Sequence, residues 1–489
     1  MIHKRLLVSI TNYSMGNLLF SIAGLISFPI LTRLLTVEDY GLLALIGVTL
    51  TFIVALSKGG LQHSALRFYS ETKEGGKEWS LDNYYATVLF GMGFIGIITT
   101  LLWLLFSQLA PRNLWNNDLL PYLFGLTSIL ILTRVLDSVL VNIIRAKELT
   151  ALFNVYRVAK RYFTLSLVLI VLFLISRDLI GFFVATIIVE ISALLVLSYY
   201  VFHKKWPRLT EFSPRLLKVM LLFGIPMLGY ELAGIVLNVG DRYIIQWYMG
   251  ASALGPYAAA YNLTEMVHGI VVVAFAQAVM PMYLRMWSEK GEKETQEFIS
   301  RSLYYYFLIS LPIIAGLSAI GPELLQFLAS EKYAEGSIII PYVITGLTID
   351  GTIVLVGAGL YIRKQSKYLM LLVAASAIIN AILNFILIPI YGIEGAAIAT
   401  LISYFALAFF TFLIARKSLQ IKIPCFTFLK FSFVSYAMYI LVSNIEGPSL
   451  LSTMFLQIVG GVVFYIIAIL AVDRQARTAI RELLIKFQN

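Results

Sequence analysis

Long apolar runs recur along almost the whole chain, and they constrain its fold more than any other feature. Each run has about 20 residues or more, the length at which an α-helix crosses the hydrocarbon core of a bilayer. In lipid every backbone N–H and C=O must be paired within the protein, so such runs predict helices. The runs lie near 6–32, 40–66, 83–110, 119–144, 151–176, 178–202, 216–245, 253–284, 302–321, 336–362, 368–390, 392–415, 426–445 and 449–472. The chain is therefore predicted to be an all-α polytopic membrane protein with 14 transmembrane helices.

The composition agrees with a membrane location. Hydrophobic residues make up 60% of the 489 residues, charged residues make up 13%, and the mean hydropathy is +0.86. A soluble chain has about 45–50% apolar and about 25% charged residues. The first apolar run has no small-residue cleavage site, so we expect it to be kept as a helix rather than removed as a secretory signal. The single cysteine, Cys425, excludes an intrachain disulfide and a cysteine-based metal site.

The basic residues sort to one side of the predicted membrane. With a cytoplasmic N-terminus, the cytoplasmic segments hold most of the 37 Lys and Arg. The outer segments hold Arg33, Arg112, Arg177, Arg242 and Lys332. This bias predicts a multi-pass protein of the cytoplasmic (inner) membrane with both termini in the cytoplasm. It also explains the net charge of +10 without nucleic acid as a partner.

A short repeat divides the chain into two similar parts. GFFVAT at 181–186 matches GAAIAT at 395–400, and the same offset of 214 residues aligns Gly41 with Gly255. Parallel repeats of this kind are typical of transporters with two lobes. The predicted organisation is an N-terminal lobe at 1–205 (spans 1–6), a cytoplasmic linker at 206–216, a C-terminal lobe at 217–416 (spans 7–12), two further helices at 417–472 and an amphipathic interfacial tail at 473–489.

The sequence has no motif of a nucleotide-binding or metal-dependent enzyme. The Gly-Lys pair at 76–77 is followed by Glu78, so we expect no P-loop and no ATP site. A GxGxxG pattern at 91–96 lies inside a span, where close helix packing explains it better than a dinucleotide does. The four histidines lack the spacing of metal ligands. The predicted outer loops are too short for a catalytic domain, and we expect the protein not to be an enzyme.

Cations inside the spans are candidates for binding an anionic substrate, because charge at membrane depth is costly. Lys58 either lines a central cavity or forms a buried pair or snorkels to the headgroups. Arg134 and Asp137 are three residues apart, so they either bridge each other or serve the cavity. Arg157 and Arg161 share a helix face and either hold headgroups or draw an anionic headgroup inward. The predicted substrate-binding residues are Lys58, Arg134, Arg157, Lys160 and Arg161.

Acidic residues and one histidine form a second group of candidates. Glu231 and Arg242 share one face of the seventh span, and Glu265 and His268 lie three residues apart on the eighth. A carboxylate at mid-depth beside a histidine suits a proton or cation site, and hydrogen bonding between helices is the alternative. The predicted residues for ion coupling or gating are Glu231, Glu265, His268, Asp137, Glu190 and Asp350.

Three stretches resemble the polysaccharide-transporter branch of the multidrug/oligosaccharidyl-lipid/polysaccharide exporter superfamily. They are LTRLLTVEDYG, GDRYIIQWYMGASALGPYAAAYNL and, at 384–404, NFILIPIYGIEGAAIATLISY. The similarity to Wzx-type O-antigen and capsule flippases extends over nearly the whole chain. It implies two six-helix lobes around a V-shaped cavity that alternates between the two sides of the membrane. A polyprenyl-diphosphate oligosaccharide would be loaded inside and released outside for surface polysaccharide biosynthesis.

The resemblance also implies an energy source and partners. A proton or sodium gradient, and neither ATP nor a cofactor, is expected to drive transport. The expected ligands are the lipid-linked oligosaccharide and membrane lipid, the protein is expected to be a monomer, and a glycan polymerase and glycosyltransferases are possible partners. By analogy, the last two spans guide the lipid tail.

Two features separate this chain from related transporters. Lipid II flippases carry arginines deep in the first span, whereas this span offers Asn12, Asn17 and Ser21. The sequence therefore disfavours lipid II as the substrate. The first span also lacks the carboxylate found in many proton-coupled drug pumps. The alternative functions are a cation-coupled multidrug antiporter and a membrane glycan polymerase.

Overall fold

The protein is helical throughout the residues that the structure, a computed structural model, describes: 19–73, 78–110, 117–270 and 274–478. The helices are α1 (Leu19–Leu34), α2 (Val37–Ser57), α3 (Leu61–Lys73), α4 (Leu81–Leu109), α5 (Leu120–Ala146), α6 (Thr150–Leu174), α7 (Leu179–Phe202), α8 (Pro214–Val239), α9 (Asp241–Met249), α10 (Ala251–His268), α11 (Ala274–Lys290), α12 (Glu292–Leu328), α13 (Ile340–Gly351), α14 (Ile353–Val356), α15 (Ala358–Ile362), α16 (Ser366–Ala415), α17 (Cys425–Ser443) and α18 (Leu450–Val472). Two short 3-10 helices cover Leu209–Glu211 and Glu331–Ile339.

The described helices include ten that are long and apolar enough to cross a membrane. The prediction of an all-α membrane fold is therefore confirmed, while the number of fourteen spans stays a prediction. The beginning of the first predicted span, with Asn12 and Asn17, lies outside the described residues, as does the predicted tail beyond residue 478.

The chain divides into two compact units, the first ending at Gly255 and the second beginning at Pro256. The first unit contains α1 to α9, and the second contains α11 to α18. The predicted linker at 206–216, together with Lys205 just before it, packs against the start of α4 in the first unit. Lys205 Nζ donates to Asp82 at 2.6 Å, and Asn83 Nδ2 donates to the Glu211 carbonyl at 2.8 Å. The boundaries of the two six-helix lobes stay a prediction.

Two of the predicted spans meet in α16, where Gly392 interrupts the helix. Gly392 has a φ of 60° and a ψ of −140°, a conformation that glycine adopts far more readily than other residues. Buried side chains join the two halves. Asn384 Nδ2 donates to Asn380 Oδ1 at 2.9 Å, and Asn380 Nδ2 donates to Thr400 Oγ1 at 3.4 Å. Hydrogen bonds of this kind join helices in an apolar medium.

The backbones of α3 and α8 touch at a break between α2 and α3. Gly59 and Gly60 in this break have φ angles of 57° and 75°. A Cβ added to Gly60 would lie 2.1 Å from the carbonyl oxygen of Gly224 on α8. One turn further along, Ser64 Oγ donates to the Met220 carbonyl at 2.6 Å. Both the backbone conformation and the available space therefore require glycine at position 60.

We expect Gly60→Ala to lower the free energy of unfolding by about 2–5 kcal/mol. A left-handed backbone costs a non-glycine residue about 1–2 kcal/mol, and forcing extra atoms into a packed contact adds about 1–3 kcal/mol. Thermal unfolding of the purified protein in detergent measures the loss. Gly234→Ala on α8 is the matched control, because nothing lies within 4 Å of its added Cβ. An equal loss of stability in both variants would contradict the steric explanation.

A buried polar network joins α12, α17 and the segment after α18 in the second unit. Asp473, which is 3% exposed, accepts hydrogen bonds from Lys430 Nζ, from the Tyr304 hydroxyl at 2.7 Å and from the Ala476 backbone N–H at 2.7 Å. Burial by itself would raise the pKa of Asp473, but these three donors outweigh it and hold the pKa below its ordinary value. The carboxylate is therefore held in its ionised form.

Asp473 should stabilise the second unit more at neutral pH than in acid. Its folded-state pKa lies below the unfolded value of about 3.9, so its contribution is complete above that pH and is lost as the pH falls through the folded pKa. We expect Asp473→Asn to lower the Tm at pH 7 and the gap from wild type to narrow below about pH 4. Unfolding curves between pH 7 and pH 3 test this, and a gap that widens on acidification would refute it.

Candidate functional site

Two ion pairs connect α5 to its neighbouring helices in the first unit. Arg134 on α5 donates from Nε and Nη2 to both carboxylate oxygens of Glu190 on α7, at 2.9–3.2 Å. Lys160 on α6 lies 3.2 Å from Asp137 on α5, and Asp137 also accepts a hydrogen bond from Tyr156. Arg134 and Asp137 therefore have different partners on different helices, rather than forming the bridge within α5 that their spacing allowed.

Lys58 lies at the C-terminal end of α2, where the helix dipole favours a cation. Its side chain is half-buried. It interacts electrostatically with Glu231, Asp137 and Arg134. Arg134 and Lys160 are engaged in ion pairs, whereas Lys58 forms none with the residues that the structure describes. Of these three cations, Lys58 is therefore the one whose charge is most available to an anionic ligand.

Glu231 on α8 receives two donors from the first turn of α3. Gln62 Nε2 donates to Glu231 Oε2 at 2.5 Å, and His63 Nε2 lies 3.2 Å from the same oxygen. The side chains of His63 and Glu231 are 41% and 29% exposed, so solvent reaches this contact. Glu231 therefore links the α2–α3 break to the middle of α8.

Arg157 and Arg161 lie one turn apart on α6 and share an aromatic partner. Their guanidinium carbons are 4.9 Å and 5.4 Å from the ring centroid of Phe20 on α1. Cation–π contacts hold a guanidinium in place without neutralising it. Both side chains are half-buried. They extend the cationic face of α6 beyond Lys160.

The cations of this cluster outnumber its carboxylates. It contains the five cations Lys58, Arg134, Arg157, Lys160 and Arg161 and the three carboxylates Asp137, Glu190 and Glu231. Charges in a partly buried site interact more strongly than they do in bulk water. The cluster is therefore suited to a ligand that carries several negative charges.

The predicted coupling residues of the second unit occupy three different settings. Glu265 on α10 is exposed. His268, 6% exposed, hydrogen-bonds the backbone of Leu347. Asp350 on α13 is half-buried and interacts electrostatically with Tyr306. Their roles in ion coupling stay predictions.

Sequence reasoning missed His63, Tyr156 and Phe20 as parts of this site. Each acts through a contact between helices, and periodicity along one helix does not show such contacts. The one available signal concerned His63, which lies shortly after the Gly59-Gly60 break. A break of this kind reorients the chain and aims the next turn at a neighbouring helix.

Comparisons with known proteins show one matching family and several relatives. The family model described as "Polysaccharide biosynthesis protein" matches residues 6–287. A probable low-salt glycan biosynthesis flippase of Haloferax volcanii is 25% identical over 189 residues, which are 36% of this chain and 39% of that protein. A putative O-antigen transporter of Shigella flexneri is 27% identical over 215 residues, which are 44% of this chain and 50% of that protein. The chain thus spans about half, or less, of the length of these relatives.

A solved structure shows the same fold. A lipid II flippase in its inward closed conformation aligns with a TM-score of 0.78 and 18% identity, covering 95% of this chain and 99% of that chain. At this identity the likeness concerns the fold alone. The resemblance to the polysaccharide-transporter branch is confirmed, because the family model covers more than half of the sequence. The chain belongs to the polysaccharide biosynthesis protein family.

Proposed function

We propose that this protein is a flippase that moves a polyprenyl-diphosphate-linked oligosaccharide across the cytoplasmic membrane for surface polysaccharide biosynthesis. The observation that carries the proposal is the excess of cations over carboxylates on the membrane helices of the first unit. A diphosphate presents several negative charges, and each hydrogen bond to a charged group contributes about 1.5–3 kcal/mol. The flippase and transporter relatives support the same assignment.

The cations of the cluster have different parts in this proposal. Arg157 and Arg161 attract the diphosphate first, because they lie in the N-terminal half of α6, the end predicted to be near the cytoplasmic side. Lys58 then binds the diphosphate directly. Arg134 still has Nη1 to donate, since Nε and Nη2 are used by Glu190. Lys160 has three donor protons and one carboxylate partner, so it also retains capacity for the ligand.

Ion coupling is proposed to involve Glu231. Its carboxylate acts electrostatically on Lys58, which is proposed to bind the substrate, and lies 3.2 Å from His63 Nε2. A proton or sodium ion at Glu231 changes the field at Lys58 and therefore the affinity for an anion. Glu265, His268 and Asp350 are the further candidates in the second unit.

Glu231→Gln should keep the fold but lower ion-dependent transport about tenfold, the effect of about 1.4 kcal/mol. Glutamine still accepts the hydrogen bond of Gln62 but cannot take up a proton or hold a cation. Transport is measured with and without a protonophore and in sodium-free medium. Glu71→Gln, which changes an exposed pair with Arg67 at 3.2 Å, is the matched control. Unchanged transport and unchanged ion dependence would show that Glu231 serves helix packing and not ion coupling.

The cellular setting is also part of the proposal. The bias of the basic residues supports a cytoplasmic location for both termini, and transport by alternating access of two lobes requires no second copy of the chain. The protein is proposed to act as a monomer, without a cofactor. It receives its substrate from glycosyltransferases and supplies a glycan polymerase.

Expression in a flippase-null strain tests the proposed function. Restored surface polysaccharide, with loss of the lipid-linked oligosaccharide that accumulates inside, is the expected result. Resistance to cationic dyes without any glycan phenotype would instead identify a drug antiporter.

A further inference from the structure

Asn154 on α6 is a buried amide that forms no side-chain hydrogen bond with the residues that the structure describes. Its side chain is 7% exposed, and neither Oδ1 nor Nδ2 has a partner. The other buried asparagines in the described part of the chain, Asn142, Asn380 and Asn384, each use at least one amide atom in a hydrogen bond to a side chain. A buried donor or acceptor that is left unpaired costs free energy. Asn154 therefore has both a donor and an acceptor left for a ligand.

Asn154 shares a face of α6 with two of the cations proposed to meet the substrate. Arg157 and Arg161 follow it by three and seven residues, which places the three side chains within about 60° of one another around the helix. Asn154 and Arg157 are about 4.5 Å apart along the helix axis. The two guanidinium groups lie over the ring of Phe20, and Arg161 Nε has no hydrogen-bond partner among the described residues. This face thus presents a neutral amide beside two positive charges.

The chemistry of the amide decides which part of the substrate it can bind. Nδ2 donates hydrogen bonds and Oδ1 accepts them. An ionised diphosphate offers acceptors only, so it cannot satisfy Oδ1. A sugar hydroxyl both donates and accepts, and an acetamido substituent supplies one N–H donor and one C=O acceptor. The amide is therefore complementary to a sugar, whereas the guanidinium groups are complementary to the diphosphate.

We propose that Asn154 binds the first sugar of the lipid-linked oligosaccharide while the diphosphate lies at Arg157 and Arg161, before it reaches Lys58. This inference rests on the proposed function. In such a substrate the first sugar is bonded directly to the diphosphate, so a group one helical turn from the arginines is placed to contact it.

The position of Asn154 suits a role in loading. It lies in the N-terminal part of α6, the end predicted to be cytoplasmic, where the substrate enters. Alternating access has to open this face for loading, and the opening brings the amide into contact with the sugar. The sugar then supplies the hydrogen bonds that the amide lacks, which makes Asn154 a specificity-determining residue.

Binding to the full-length protein in detergent tests the proposal. The probes are farnesyl diphosphate and the same diphosphate carrying glucose or N-acetylglucosamine, and isothermal titration calorimetry gives the Kd of each. We expect the wild type to bind at least one sugar-bearing probe about fivefold or more tightly than farnesyl diphosphate, the effect of one or two neutral hydrogen bonds. The probe with the larger gain shows whether a hydroxyl or an acetamido group is recognised.

Three variants assign the preference to the amide. Asn154→Leu keeps the approximate size of the side chain and removes both hydrogen-bonding atoms, so it should bring the affinity for the sugar probes to that for farnesyl diphosphate. Arg161→Ala should weaken the binding of all three probes by the same factor. Gln296→Leu, the matched control, removes an amide that donates to Glu292 within α12 at 3.1 Å and should change none of them. Asn154→Ala serves if Asn154→Leu fails to fold.

Two results would overturn the proposal. One is a wild type that binds farnesyl diphosphate as tightly as both sugar probes. The other is an Asn154→Leu variant that keeps the wild-type preference, which would assign the amide to helix packing or to a bound water. Transfer of the sugar-bearing lipid between the leaflets of vesicles separates the two hypotheses. Transfer without a sugar preference in binding rejects the role of Asn154 alone, whereas a preference that depends on Asn154 without transfer rejects the proposed function alone.

Discussion

Replacing Lys58 by alanine should reduce translocation of the lipid-linked oligosaccharide by about 10- to 100-fold, the effect of losing about 1.5–3 kcal/mol of a charged hydrogen bond. Lys58 forms no ion pair with the described residues, so its loss removes a charge that no ion pair neutralises. The amount of surface polysaccharide in a flippase-null strain, normalised to protein in the membrane, measures the effect.

Two variants sharpen this experiment. Lys58→Arg keeps the charge and should retain a substantial part of the activity. Lys73→Ala removes an exposed cation at the end of α3 and should leave activity unchanged. The cationic-cluster account would be wrong if Lys58→Ala and Arg161→Ala both restored surface polysaccharide as well as the wild type does.

Arg134→Ala should lower the free energy of unfolding by about 3 kcal/mol, near the lower end of the range for breaking a buried ion pair. Glu190, whose side chain is 8% exposed, would be left as a buried carboxylate without its bidentate partner. The lower end applies because Arg134 itself is 32% exposed, so solvent already reaches that side of the pair. Thermal unfolding in detergent measures the loss.

A double variant separates stability from transport at this pair. Arg134→Ala combined with Glu190→Gln removes the uncompensated charge, so most of the lost stability should return. Transport should stay low, because the Nη1 donor proposed for the diphosphate is still absent. Recovery of both properties in the double variant would show that Arg134 serves only the structure.

Much of the fold was predictable, because it follows from properties of single helices. The long apolar runs predict spans directly, and charge inside those runs picked out Lys58, Arg134 and Asp137. The pairing of these charges was not predictable. Arg134 and Glu190 are 56 residues apart, and their contact depends on how α5 and α7 pack. Spacing along one helix allowed Asp137 as the partner of Arg134. In the structure, packing between helices pairs Arg134 with Glu190 instead.

The repeat is a second case in which the sequence did not show a contact between helices. The offset of 214 residues aligned Gly41 with Gly255 as equivalent positions. In the structure, a Cβ on Gly41 would lie 2.3 Å from the Ala251 carbonyl oxygen, and one on Gly255 would lie 2.2 Å from the Val37 carbonyl oxygen. The two glycines thus serve one close helix crossing within the first unit. Sequence similarity indicated that these positions correspond, but only the packing shows that they meet.

The most direct test of the proposed function is transport by the purified protein in vesicles. A labelled polyprenyl-diphosphate oligosaccharide is placed in one leaflet, a proton or sodium gradient is imposed, and the label that reaches the other leaflet is measured. The account predicts gradient-dependent transfer above that of empty vesicles, with a loss of about tenfold or more in Lys58→Ala. Transfer no faster than in empty vesicles under either gradient, or equal transfer by wild type and Lys58→Ala, would contradict it.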